Sequence, residues 1–349
     1  MSADTSPMNA AAPAPLAVQV PALQTPALQA PALQAPPLPV PGPLGPTGRP
    51  VPDLPEPTAV RQHGPASVLA ICNQKGGVGK TTTTINLGAA LAETGRRVLL
   101  VDVDPQGALS VGLGINSNTL DVTLHDLLLG TGGTPASEVV VKTRVPGLDL
   151  LPSNIDLSAA EVLLVGEVGR EHALARALRP LVPEYDVVLI DCQPSLGLLT
   201  VNALSAADGV LIPLECEYFA LRGVALLLQT IEKVADRLNP RLELVGILAT
   251  MHDGRTLHGR EVLDRVLEAF PDKLFHTVIS RTIRFPETTA AGEPITSYAS
   301  TSAGAGAYRA VARELLARWP AAAGASSASS ASSTGGSDGA DGADDAGGR

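Results

Sequence analysis

Aromatic side chains are scarce in this chain, 3% of 349 residues with a single tryptophan, and positive charge is outnumbered, 25 Lys and Arg against 35 Asp and Glu. A net charge of −10 with so few aromatics argues against a protein that coats nucleic acid over its whole surface. Cysteine is rare too. Cys72, Cys192 and Cys216 are far apart in sequence with no C-x-x-C spacing, which excludes a disulfide framework or a zinc site and fits a reducing cytoplasm. The amino terminus has no basic stretch followed by an apolar core, so no secretory signal is expected. No uninterrupted apolar stretch approaches the roughly 18 residues that a spanning helix needs.

Proline, by contrast, is abundant and concentrated. Residues 1–65 are Pro- and Ala-rich, with P-A-L-Q repeated from Pro21, Pro26 and Pro31. Repeated proline removes backbone donors and fixes φ, so the arm is expected to be disordered and locally polyproline-II. It reads as a spacer or as a docking segment for a partner. Residues 321–349 are Ala, Ser, Gly and Asp and should form a flexible acidic tail. Such a tail is not the basic amphipathic helix that binds membrane surfaces.

Between these ends, residues 66–320 alternate strand-like and helix-like segments. Apolar runs at 68–72, 97–102, 148–151, 185–191, 209–213, 242–250 and 274–279 read as strands. Helical spacing occupies 81–93, 156–164, 171–181, 198–206, 220–238, 260–270 and 306–318. Continuous apolar strands alternating with helices predict one α/β domain, a mostly parallel sheet covered on both faces.

The richest stretch is Asn73-Gln74-Lys75-Gly76-Gly77-Val78-Gly79-Lys80-Thr81-Thr82. It lies between a strand and a helix, where backbone N–H groups can cradle phosphates. Glycine permits the steep turns and the close approach to the anion. Lys80 supplies charge to the β/γ-phosphates, and the Thr81 hydroxyl is placed for Mg²⁺. The strict P-loop pattern fails at its first position, which is Gln74, and Lys75 adds a second lysine at the mouth. Two acidic strand ends complete the site. Asp191 reads as the carboxylate that holds Mg²⁺ directly or through water. Asp102 and Asp104 are two apart, so both face one side for as long as the strand lasts. A carboxylate close to the γ-phosphate can orient the attacking water and accept its proton.

The octet K-G-G-V-G-K-T-T resembles the deviant P-loop of the ParA/MinD ATPases, and V-D-V-D-P-Q-G, P-S-N-I-D-L, D-C-Q-P-S-L-G-L-L-T and C-E-Y-F-A-L resemble partitioning proteins of the ParA/Soj type. The resemblance spans about residues 68–318. It implies binding of ATP and Mg²⁺ by residues 75–82, a nucleotide-sandwich homodimer in which Lys75 reaches the partner's ATP, and hydrolysis through Asp104. Asp102 would be a supporting or Mg²⁺-shell group. It also implies non-specific DNA binding through Arg255 and Arg284, with Arg281 nearby, and a ParB-like partner that stimulates slow hydrolysis. The expected location is the cytoplasm, on the nucleoid. Gln193 replaces a proline usual in the family's switch loop, Ser280 replaces another late in the domain, and a lysine often found after Ser300 is missing. Three rivals share parts of this pattern: a positioner of another cargo, a MinD-like membrane-surface switch, and a reductase with a cluster held between subunits by cysteines.

Overall fold

In the computed structural model, residues 43–130, 133–217 and 220–319 are described. Seven strands form one sheet in the order β3-β4-β2-β5-β1-β6-β7. They are β1 (Ser67–Ile71), β2 (Val98–Val103), β3 (Val141–Lys142), β4 (Leu148–Leu151), β5 (Val187–Cys192), β6 (Gly209–Glu215) and β7 (Glu243–Thr250). All pairings are parallel except that of the two-residue edge strand β3 with β4. The interior strands are apolar at nearly every position because each face meets helices. Alternate residues divide between two cores. Val68, Ala70 and Cys72 enter one, Leu69 and Ile71 the other.

One face carries α3 (Leu124–Leu129), α5 (Leu157–Leu163), α6 (Ala173–Leu178), α7 (Leu198–Ala206), α8 (Ala220–Arg237) and α9 (Leu257–Ala269), whose apolar residues join the first core. The other face carries α1 (Lys80–Ala92), α2 (Ala108–Gly112), α11 (Ile295–Tyr298) and α12 (Ala303–Arg318). Two short helices, α4 (Ala136–Val139) and α10 (Arg284–Ala291), complete the set. The doubly covered, mostly parallel sheet is the architecture expected from the sequence. Because the strands run parallel, the loops after β1, β2, β5, β6 and β7 gather at their carboxyl ends, where α/β sheets place ligands.

Two expectations change. Residues 274–280 are not a strand. They meet β7 through hydrogen bonds near Ile247 and Ala249 and the packing of Phe275 and Ile279, and a bridge joins Ser280 to His252 just beyond β7, with irregular chain between. The arm expected to run free to residue 65 is bound to the domain from residue 43 onward. Arg49 donates to the carbonyls of Pro271 and Leu274 at 3.0 and 2.8 Å, Glu56 pairs with Arg313, and His63 and the Gly64 amide meet the buried Asp186 carboxylate. The P-A-L-Q repeats and the tail beyond residue 319 lie outside the described residues.

Candidate phosphate and magnesium site

The loop after β1 is built for an anion. Gly77 and Gly79 have φ of 77° and 85°, a left-handed conformation that side chains rarely adopt, and Gly79 is the residue from which α1 starts. A Cβ added at Gly76 or Gly77 would meet nothing within 4 Å, so the space in front of the loop is open. That space is a cavity of about 240 Å³ lined by Gly76, Gly77, Gly79, Lys80, Thr81, Thr82, Asp104, Pro194 and Met251. The amino end of α1 therefore faces a cavity with backbone N–H groups and a lysine, the arrangement that binds phosphate. The loop is fastened from behind. Asn73 accepts from the Lys75 amide and donates to the Pro213 carbonyl, and Thr250 donates to the Val78 carbonyl at 2.8 Å.

Thr81 Oγ1 donates to Asp191 Oδ2 at 2.7 Å, and Thr84 Oγ1 reaches the other oxygen of the same carboxylate. Asp102 lies opposite Asp191 in the β2–β5 register and accepts from the amide and hydroxyl of Ser110. Both carboxylates are fully buried. Burial, then the proximity of Asp191, pushes Asp102 up to about 8; burial is also the main cause that pushes Asp191 up to about 7, opposed by Thr81 and Lys80. Crowded, desolvated carboxylates beside a threonine hydroxyl and an open phosphate cradle fit a hydrated Mg²⁺, which prefers few protein oxygens plus phosphate. Thr81 and Asp191, joined by their hydrogen bond, would hold it. Asp102 is committed to Ser110 and stands behind them.

Asp104 sits just past the end of β2 and lines the cavity. Its carboxylate accepts from the Gln106 amide, and its carbonyl accepts from Ser153 Oγ at 2.6 Å, so its loop is tied to the chain leaving β4. Lys75 does not face its own cavity. Its Nζ is 3.0 Å from Glu215 and 2.5 Å from Glu217, at and beyond the end of β6. Burial alone would lower the Lys75 ammonium, but hydrogen bonds to Glu217 and Glu215 outweigh it and raise it.

The three arginines expected at DNA all have carboxylate partners within the chain: Arg255 with Asp253, Arg281 with Glu215, and Arg284 with Glu287. Arg281 N donates to the His252 carbonyl, and the His252–Ser280 bridge sets the 252–255 and 280–284 segments side by side. Arg281 also lines a second cavity, of about 260 Å³, that shares Gly79, Thr82 and Met251 with the phosphate loop. Sequence reasoning assigned this loop to DNA alone and missed its place beside the nucleotide site. Met251 was missed as a lining residue as well. Its φ of 50°, unusual for a non-glycine residue, gives it away only in three dimensions. Two cysteines also come together, Sγ of Cys72 and Cys192 lying 2.7 Å apart as buried free thiols where β1 and β5 end.

Fold and site define a P-loop nucleotide-binding protein. A family profile described as an AAA domain matches residues 66–244. The chain is 62% identical over 276 residues to an uncharacterized protein of Mycobacterium tuberculosis, covering 79% of this chain and 86% of the relative. It is 48% identical over 256 residues to the chromosome partitioning protein ParA of Caulobacter vibrioides, covering 73% and 95%. A solved structure from Mycobacterium smegmatis, described as cobyrinic acid a,c-diamide synthase with bound ATP analogue and magnesium, has a TM-score of 0.62 at 46% identity over 73% of this chain and 96% of that one. The chain belongs to the ParA/Soj family of partitioning ATPases. Among the described residues no helix is long and apolar enough to cross a membrane.

Proposed function

We propose that this chain is an ATP- and Mg²⁺-dependent switch that dimerises on ATP, binds double-stranded DNA without sequence preference, and moves a chromosome or plasmid together with a ParB-like partner. The observation that carries the reading is the direction of Lys75. The lysine that spoils the strict P-loop pattern is turned away from its own phosphate cavity toward the buried Glu215 and the exposed Glu217 carboxylates. A lysine so placed serves a second subunit.

When bound, Mg²⁺ neutralises charge on the β- and γ-phosphates. The residues of the chain do the rest. The loop 76–82 holds the phosphates by its amides, Lys80 draws charge toward the γ-group, and Asp191 fixes the Thr81 hydroxyl. Asp104 orients the attacking water and takes its proton, so that ATP and water become ADP and phosphate. Arg255, Arg281 and Arg284 contact DNA phosphates after exchanging their internal carboxylates for them. Each exchange costs part of the gain, so one subunit binds weakly and a dimer with two such surfaces binds much better. A cytoplasmic, nucleoid-bound location follows from this affinity.

The test compares DNA binding and ATP turnover of the purified chain with ATP and with ADP. Salt-sensitive DNA binding that requires ATP supports the reading; equal binding with ADP sinks it. Positioning of another cargo uses the same chemistry and differs only in the partner. A membrane-surface switch would instead bind anionic vesicles with ATP. The activity named for the M. smegmatis protein predicts turnover that rises with cobyrinic acid and ignores DNA.

A further inference from the structure

Asp104, Pro105, Gln106 and Gly107 make the turn that joins β2 to α2, and the Gly107 amide closes it by donating to the Asp104 carbonyl at 2.9 Å. Within the turn, the Gln106 amide donates to Asp104 Oδ1 at 2.9 Å and sets the direction of that carboxylate. These two bonds give the turn its shape. They do not give it a fixed height over the phosphate cavity, because both lie inside the turn and would ride along with any movement of it.

The height is set from outside, by a closed circuit of four hydrogen bonds. The Asp104 amide donates to Asp102 Oδ1 at 3.3 Å, and Ser110 Oγ donates to Asp102 Oδ2 at 2.8 Å. The Ser153 amide donates to Ser110 Oγ at 3.4 Å, and Ser153 Oγ donates to the Asp104 carbonyl at 2.6 Å, which completes the ring. Asp102, Ser110 and Ser153 are all fully buried, so water does not compete for these bonds. Ser153 comes from the neighbouring strand: it stands two residues beyond the end of β4, which pairs with β2 in parallel. The chain presenting it is held in turn, since the Pro152 carbonyl accepts from the Leu124 amide at 2.9 Å. The packing is close as well. A Cβ on Gly107 would come within 2.9 Å of the Ser153 carbonyl. Asp104 lines the phosphate cavity, whereas Ser110 and Ser153 are absent from its lining.

We propose that Ser153, together with Ser110, is a positioning residue for ATP hydrolysis: its hydroxyl pins the 104–107 turn to β4 and so holds the Asp104 carboxylate at the height where it meets the attacking water. Ser153 touches neither nucleotide nor water and acts through Asp104, so the inference rests on the role proposed above for that carboxylate. A reacting group misplaced by about 1 Å can cost about a hundredfold in rate. The phosphate loop and the Thr81–Asp191 pair belong to β1, α1 and β5 and make no bond to Ser153. Loss of the hydroxyl therefore falls on the chemical step and spares nucleotide binding.

The test uses the full chain with γ-labelled ATP in single turnover, protein in excess, and measures the affinity for a non-hydrolysable ATP analogue separately. Ser153→Ala removes one oxygen atom. It should slow the chemical step about tenfold and leave analogue affinity unchanged, and Ser110→Ala, which opens the circuit at another link, should act in the same way. The decisive readout is a double-mutant cycle with Asp104→Ala. Once that carboxylate is gone Ser153 has nothing to position, so adding Ser153→Ala should change the residual rate by less than about twofold. A serine that only supports the fold would cost the same factor in both backgrounds, and such additivity overturns the proposal. So does a Ser153→Ala protein with the wild-type rate, or one whose loss lies in analogue affinity. If Ser153→Ala does not fold, Ser110→Ala carries the same cycle. A wild-type rate in Asp104→Ala sinks the catalytic reading and this inference together, whereas a slow Asp104→Ala beside a normal Ser153→Ala sinks the positioning alone.

Discussion

Replacing Glu215 with glutamine should strengthen the ATP-dependent dimer. Glu215 holds Lys75 at 3.0 Å with one oxygen and Arg281 at 2.9 Å with the other, while its own side chain is largely buried. A dimer in which Lys75 reaches across must first take it from this carboxylate. Hydrogen bonds to charged groups contribute roughly 1.5–3 kcal/mol when sheltered. The Lys75 and Arg281 side chains are 41% and 65% exposed, so solvent screening reduces each contact to about 0.5–1 kcal/mol. Glutamine preserves the shape and loses the charge, relieving about 1 kcal/mol per subunit. Two subunits give about 2 kcal/mol, or roughly thirtyfold in the dimer dissociation constant. Sedimentation velocity with a non-hydrolysable ATP analogue measures it directly. The effect should shrink as salt rises, since the contacts are partly exposed. Glu217→Gln, at a more exposed carboxylate, should act in the same direction and less strongly. A Glu215→Gln dimer no tighter than wild type would refute the idea that this carboxylate restrains Lys75.

Four further outcomes follow from the geometry. Asp104→Ala should retain nucleotide and lose turnover by about a hundredfold, the range for a positioned acid–base group, with the protein trapped on DNA; normal hydrolysis by rapid phosphate assay would overturn that role. Lys75→Ala should still bind ATP and fail to dimerise in light scattering. Deleting residues 2–40 should leave the melting temperature unchanged, whereas Arg49→Ala, which removes two hydrogen bonds to backbone carbonyls, should cost about 1–2 kcal/mol and lower it by a few degrees in calorimetry. Asp102 and Asp191, pushed up to about 8 and 7, keep protons in the fold that the unfolded chain releases near pH 4. Folding is thus favoured at low pH and loses that advantage as pH rises through 7 and 8. The nucleotide-free melting temperature should fall between pH 6 and 8.5, and a flat profile would contradict the burial of that pair.

Parallel strands buried on both faces announce themselves as short, unbroken apolar runs, which is why β1, β2, β5 and β6 and the intervening α7 and α8 were legible to within a few residues. The phosphate loop was legible because its chemistry is contiguous. The errors share a cause in long-range contact. Residues 274–280 carry strand-like apolar spacing, yet Phe275 and Ile279 spend it on the core beneath β7 rather than on a ladder. Lys75 lies 140 residues from Glu215 in sequence, so nothing nearby told where its ammonium points. Arg255, Arg281 and Arg284 were assigned to DNA through the resemblance, and the pairing of Arg281 with Glu215, 66 residues away, shows only in the fold. Cys72 and Cys192 seemed unrelated until β1 and β5 proved adjacent and in register. Proline content pointed to a disordered arm as far as residue 65 and could not reveal that Arg49 anchors residues from 43 onward.

That anchor has a mechanical consequence. Tension on the chain ahead of Pro43 enters the body at Arg49 and is delivered to the carbonyls of Pro271 and Leu274. Those carbonyls begin the irregular segment that runs to Ser280 and Arg281 and is fastened to α12 by the His276 and Thr277 amides on Glu314. Arg281 in turn shares Glu215 with Lys75. In the switch proposed above, a pull on the amino-terminal chain would be led through that segment to Glu215, the carboxylate that holds Lys75.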